Sequence, residues 1–284
     1  MSAIDLDDQY EIDSKIPDRG DIQGRYMAAS DAAVRSNRVA ALDVAYGPDP
    51  RQRLDILPAG RSMAPAILFF HGGYWTGGAK ESRRFPARAW NARGVTWVSV
   101  EYRLTPAVTL DDVVADVRRS VAWFHANAAH YGCDASALHV CGNSAGGHIA
   151  AMLAADGWQT AYGVPTDVVK SATAISGLFD LEPLRQTFVN GWLKLDAAGA
   201  ARNSPMRMLP RAGLPVVVSW GGRESSEFER QSREWAALCR QAGCAVTLAD
   251  SPTANHLTVI GELDEPGSAL FEAMACNVPA ANAR

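Results

Sequence analysis

Midway along the chain runs the stretch Cys141-Gly142-Asn143-Ser144-Ala145-Gly146-Gly147-His148. It reads G-x-S-x-G with Ser144 at its centre. Apolar Ala137, Leu138 and Val140 precede it, and a helix-forming run over residues 149–155 follows. Strand, sharp turn and helix is the context in which this short pattern builds a nucleophile elbow, with the serine hydroxyl lifted clear of the sheet edge. Gly142 and Gly146 suit that turn because a Cβ at either place would meet the neighbouring strand or helix. The rest of the chain either supplies what a serine nucleophile needs or leaves Ser144 as a turn residue.

Around the elbow, strands and helices alternate. Residues 39–46 and 53–57 each alternate apolar and polar positions about the turn Gly47-Pro48-Asp49-Pro50, which predicts an antiparallel hairpin. Residues 65–70 are a continuous apolar run, as expected of a strand buried on both faces, and residues 95–100 give the next buried strand. Further core strands fall at 172–175, 215–220 and 245–248. Helices are expected at 85–93, 110–130, 228–242 and 268–275, with Val113, Val114, Val117, Val121, Trp123 and Phe124 on the apolar side of the longest. The pattern implies an α/β fold: a mostly parallel central sheet with helices on both faces and an N-terminal antiparallel hairpin. Residues 1–37 read as an N-terminal arm packed on the domain. Residues 186–205, with Phe188 and Trp192, look like a small lid-like insert.

At 284 residues and 48% hydrophobic content, the chain is read as a single domain over residues 1–284. Its net charge of −4 and few lysines provide no basic patch for nucleic acid. The apolar runs are too short to span a bilayer. The acidic, polar start of the chain does not read as a signal peptide. Five cysteines, odd in number and without tight pairing, point to reduced thiols and a cytoplasmic setting. Cys239 and Cys244 have no second ligand pair, so neither a metal nor a cofactor is expected. A homodimer is compatible with this composition.

A serine nucleophile needs a base, an acid to orient it, and donors for the oxyanion. Only His148 and His256 follow Ser144 in the chain. His148 is carried on the elbow helix and reads as structural. His256 lies in a loop just after the last core strand, where the order Ser, acid, His puts the base. Two strand-end carboxylates compete for the acid, Glu224 and Asp180, and position favours Glu224. Glu227 and Glu229 read as the solvated start of the next helix. The oxyanion donors are expected from Ala145, next to the nucleophile, and from Gly72 and Gly73 in His71-Gly72-Gly73-Tyr74-Trp75 after an earlier strand. His71 is expected to brace that loop.

Taken together, HGGYW (71–75), EYRLTP (101–106), GNSAGG (142–147), SGLFDLEPL (176–184), GGRESSEF (221–228) and NH (255–256) resemble the arylformamidase (kynurenine formamidase) branch of the α/β-hydrolase superfamily. That branch is close to the hormone-sensitive-lipase-like carboxylesterases. The resemblance runs from about Tyr10 to the C-terminus. It implies an α/β-hydrolase fold, a Ser144–Glu224–His256 triad and an oxyanion hole from Gly72, Gly73 and Ala145. One departure is Glu224, where enzymes of this type usually carry Asp.

The expectation is therefore a metal-independent serine hydrolase. Its substrate is a small-molecule ester or activated aryl amide with a short acyl group, cleaved through an acyl-enzyme. Arylformamidase action on N-formylkynurenine is the alternative, and a non-catalytic binding protein on the same fold is the rival from another class. Tyr74, Trp75, Phe179, Phe188 and Trp192 are expected to line the substrate pocket.

Overall fold

The computed structural model describes residues 5–279. The expected domain and arm also include residues 1–4 and 280–284, which lie outside the described residues. In chain order the strands are β1 (Ala41–Ala45), β2 (Arg53–Leu57), β3 (Ala64–Phe70), β4 (Thr96–Val100), β5 (Cys133–Asn143), β6 (Val169–Ile175), β7 (Pro215–Gly221) and β8 (Ala245–Ser251). The α-helices are α1 (Leu6–Tyr10), α2 (Arg19–Ser36), α3 (Ala87–Ala92), α4 (Leu110–Asn127), α5 (Ala145–Ala154), α6 (Asn190–Leu193), α7 (Ala197–Arg202), α8 (Ser226–Gln241) and α9 (Ala269–Asn277). The hairpin and every expected core strand are present. Helix ends differ from expectation by a few residues, as fraying ends do.

All eight strands form one sheet in the order β1-β2-β4-β3-β5-β6-β7-β8. The β1–β2 and β2–β4 pairs are antiparallel, and every pair from β4 onward is parallel. The side-chain period of two explains the continuous apolar runs. In β3, Leu68 and Phe70 enter the core on one face of the sheet, while Ile67 and Phe69 enter the core on the other. Each fully buried side chain of this size contributes roughly 1.5–3 kcal/mol. Helix α4 begins with a capping box between Thr109 and Asp112, and it buries Val113, Val117, Val121 and Phe124; Trp123 stays partly exposed.

The strand order reverses between β3 and β5, so the loops leaving their carboxyl ends diverge and open a crevice. Helix α5 leaves β5 at this point and is buried along its whole length. It sits so close to the sheet that a Cβ on Gly146 would lie 1.9 Å from the Phe70 carbonyl oxygen. Only glycine fits there. No helix among the described residues is long and apolar enough to cross a membrane.

Candidate active site

Ser144 stands between β5 and α5 with φ 57° and ψ −122°. That conformation is costly for a residue with a side chain and persists only where the surroundings impose it. Here the Ser144 N–H donates to the Ile175 carbonyl at 2.8 Å, and α5 begins at the next residue. The side chain borders a cavity of about 330 Å³ at the crevice. His256, Gly72, Gly73 and Tyr74 border the same cavity.

His256 follows β8 in a loop shaped by its neighbour. The Asn255 side chain accepts from the Leu257 and Thr258 N–H groups at 3.0 and 2.9 Å, an Asx turn that opens the next helical turn. The β7 loop packs close against this segment; a Cβ on Gly221 would lie 2.5 Å from the Ala254 carbonyl oxygen. The His256 ring rests on Phe228 at 4.6 Å between centroids, and its Nδ1–H donates to Glu224 Oε2 at 2.7 Å. The other carboxylate oxygen, Oε1, accepts from Ser176 Oγ–H at 2.5 Å and from the Gly221 N–H at 2.6 Å. Glu224 is thus fixed by three donors. His256 and Ser144 both border the cavity and share no hydrogen bond among the described residues.

Asp180, the rival acid, is elsewhere. Its Oδ1 accepts from the Glu182 N–H at 3.2 Å, and its own N–H is held by Gln231 Oε1 at 2.8 Å. His148 is fully buried, and its Nε2–H donates to the Asn203 carbonyl at 2.7 Å. Burial lowers its pKa to about 4, so it is neutral at pH 7 and points away from proton transfer. His71 braces its loop: Nε2–H donates to Glu101 Oε1 at 3.0 Å, and the ring stacks on Tyr102 at 4.3 Å. Burial works against the Glu101 charge, but His71 and Arg51 outweigh it and hold the carboxyl below its usual range.

The glycine loop lies against the elbow. A Cβ on Gly72 would fall 2.9 Å from the Ser144 Cβ, and Gly73 has φ 116°. Among the described residues the N–H groups of Gly72, Gly73 and Ala145 donate to no backbone carbonyl. Ala145 opens α5, where a helix leaves its first N–H groups unpaired. Three candidate oxyanion donors therefore surround the serine.

The aromatic wall is smaller than expected. Tyr74, Phe188 and Trp192 line the cavity, with edge-on contacts between neighbours at 6.4 and 5.5 Å. Trp75 and Phe179 do not. Trp75 is fully buried edge-on against His148, turned inward by a left-handed backbone at φ 57°. Phe179 is fully buried and stacks on Trp235 at 4.6 Å. Both are core. Glu227 is a further correction: it is buried rather than solvated. It accepts from Tyr10 Oη–H at 3.0 Å and pairs with Arg230 at 2.7 Å. Glu229 is exposed, as expected.

Two contributors escaped the sequence reading. Ser176, at the end of β6, completes the support of Glu224. The arm also supplies Glu11, Ile12 and Asp13 to the cavity wall, because Tyr74 Oη–H donates to the Tyr10 carbonyl at 2.6 Å. Isolated apolar residues in a polar stretch (Tyr10, Ile12, Ile16) were the only signal for it. Among the described residues no cluster of side chains is arranged to hold a metal ion.

Known proteins resemble this chain in sequence and in fold. The family model BD-FAE matches residues 54–182. A kynurenine formamidase from Salmo salar is 35% identical over 252 residues, covering 85% of this chain and 84% of that protein. Esterase LipQ of Mycobacterium tuberculosis is 29% identical over 238 residues, 75% of this chain and 56% of that protein. A crystal structure from Silicibacter sp., provisionally assigned as a thioesterase, superposes with a TM-score of 0.82 at 27% identity, covering 96% of this chain and all of that one. The chain therefore belongs to the α/β-hydrolase superfamily, in its branch of arylformamidase-like and hormone-sensitive-lipase-like enzymes, and is a serine hydrolase.

Proposed function

We propose that this hydrolase cleaves short-acyl esters and activated aryl amides through an acyl-enzyme on Ser144. The observation that carries the reading is the Glu224–His256 pair at 2.7 Å beside the cavity that Ser144 and the glycine loop share. His256 Nε2 takes the Ser144 hydroxyl proton as Oγ attacks the carbonyl carbon. The carbonyl π electrons move to oxygen, which the N–H groups of Gly73, Gly72 and Ala145 receive. As the intermediate collapses, His256 returns the proton to the leaving oxygen or nitrogen. Water then repeats the sequence and frees the acid.

A cavity of about 330 Å³ is at the small end for ligand sites. The rings of Tyr74, Phe188 and Trp192 suit an aromatic leaving group. Small acyl groups on an aryl alcohol or aryl amine follow. The relationship to kynurenine formamidases favours N-formylkynurenine as one such substrate. The free cysteines, four of them buried, support a reducing, cytoplasmic setting.

A series of p-nitrophenyl esters from acetyl to decanoyl, run beside N-formyl and N-acetyl anilides, tests the substrate reading. Rates should peak at two to three acyl carbons, and formanilide should turn over faster than acetanilide. A maximum at eight carbons or more would sink the short-acyl assignment. Fast ester cleavage with no formanilide turnover would leave an esterase and remove the formamidase.

A further inference from the structure

Arg83 is a buried cation without an anion. It ends the helical turn Lys80–Arg83, borders the Ser144 cavity and is only 8% exposed. Its neighbours pair fully: Lys80 meets Asp43, Asp55 and Glu81, and Arg84 meets Asp55 at 2.5 Å. Arg83 pairs with no carboxylate among the described residues. Its Nη1 donates to the Ser82 carbonyl and hydroxyl at 3.0 and 2.8 Å, and its buried Nε–H has no acceptor. The Tyr26 ring lies 6.0 Å from the guanidinium carbon. Burial pulls its pKa below that of a free arginine, which still leaves it charged at neutral pH.

An unpaired buried charge is among the most unfavourable features a fold can retain. The chain nevertheless fixes this one in place. The Trp97 Nε1–H and Ser99 Oγ–H both donate to the Arg83 carbonyl, at 2.8 and 2.9 Å. Gly77 and Gly78 line the same cavity and add no side chain to obstruct it. The other charges on the cavity belong to the arm. Arg19 is neutralised by Asp13 at 2.7 Å, and Glu11 accepts from the Ser14 N–H at 3.1 Å. Glu11 repels an anion from its own side of the cavity, which leaves Arg83 as the attractive end.

We infer that Arg83 is the anion subsite of this cavity, the residue that selects substrates with a carboxylate remote from the scissile carbonyl. This rests on the reading that the Ser144 cavity receives the substrate. It assigns recognition of such a carboxylate to one residue, whose guanidinium orients it through two N–H donors. Such a contact discriminates strongly against a neutral isostere, because the buried charge is left unpaired when that isostere binds.

Calorimetric binding of benzoate, 3-phenylpropionate and 4-phenylbutyrate, each against its primary amide, tests the inference without any turnover. In the wild-type protein at least one carboxylate should bind about 10- to 100-fold more tightly than its amide. Arg83→Met and Arg83→Gln should abolish that preference, and Arg83→Lys should retain part of it. Equal affinities for acid and amide in all three wild-type pairs would overturn the inference, as would a preference that survives in both neutral variants. The wild-type comparison alone can refute it, even if a variant fails to fold. Failure of the hydrolase reading would show separately, in the ester kinetics.

Discussion

Replacing Ser144 with alanine should lower kcat on p-nitrophenyl acetate by about 10⁶-fold, the loss seen when a serine protease loses its nucleophile. The fold should survive. What anchors the turn is the backbone bond from the Ser144 N–H to Ile175 and the packing of α5, and both remain in alanine. Alanine also tolerates the positive φ no worse than serine. Kinetics paired with a thermal melt check this: activity gone, with Tm within a few degrees of the parent. A variant that keeps more than about a hundredth of the rate would exclude Ser144 as the nucleophile.

Glu224→Gln should cost about 10⁴-fold, the loss recorded for the equivalent acid-to-amide change in a serine protease. The geometry here gives the reason. Oε1 is already claimed by two donors, Ser176 Oγ–H and the Gly221 N–H. A glutamine must therefore keep its oxygen on that side and turn its NH₂ toward His256 Nδ1. The imidazole can then only accept at Nδ1, which places its proton on Nε2 and removes the lone pair that Ser144 needs. Asp180→Asn, by contrast, touches a side chain whose oxygen accepts from the Glu182 N–H in its own loop. Its kcat/KM should change by less than about threefold, since partly exposed positions away from the site are usually near neutral. Steady-state kinetics of both variants decide. If Asp180→Asn were the more damaging, the acid would lie at the end of β6.

The parts of this site that were legible in the sequence are those whose chemistry is local. The glycines of the elbow and of His71-Gly72-Gly73 announce close backbone approach within a few residues. His256 follows from its place after the last strand. The acid was different, because Glu224 and Asp180 occupy equivalent strand ends. What separates them is the contact of Glu224 with His256, supported by Ser176 just after β6, which no spacing encodes. Trp75 and Phe179 were misplaced for a related reason. A ring next to an oxyanion loop can turn toward the cavity or into the core, and here a left-handed backbone at Trp75 and the Trp235 ring behind Phe179 turn both inward. The arm was the hardest to read. Its Tyr10 meets Glu227 and Gln231 more than two hundred residues away, which also explains why Glu227 is buried at a helix start where a carboxylate is ordinarily solvated.

Ser144 is proposed to form the covalent intermediate. The most direct test is to treat the protein with a fluorophosphonate and locate the adduct by peptide mass spectrometry. One adduct per chain is expected, on the peptide containing Ser144, absent from Ser144→Ala and much slower to form in Glu224→Gln. A stoichiometric adduct on any other residue, or none on protein that hydrolyses p-nitrophenyl acetate, would contradict it.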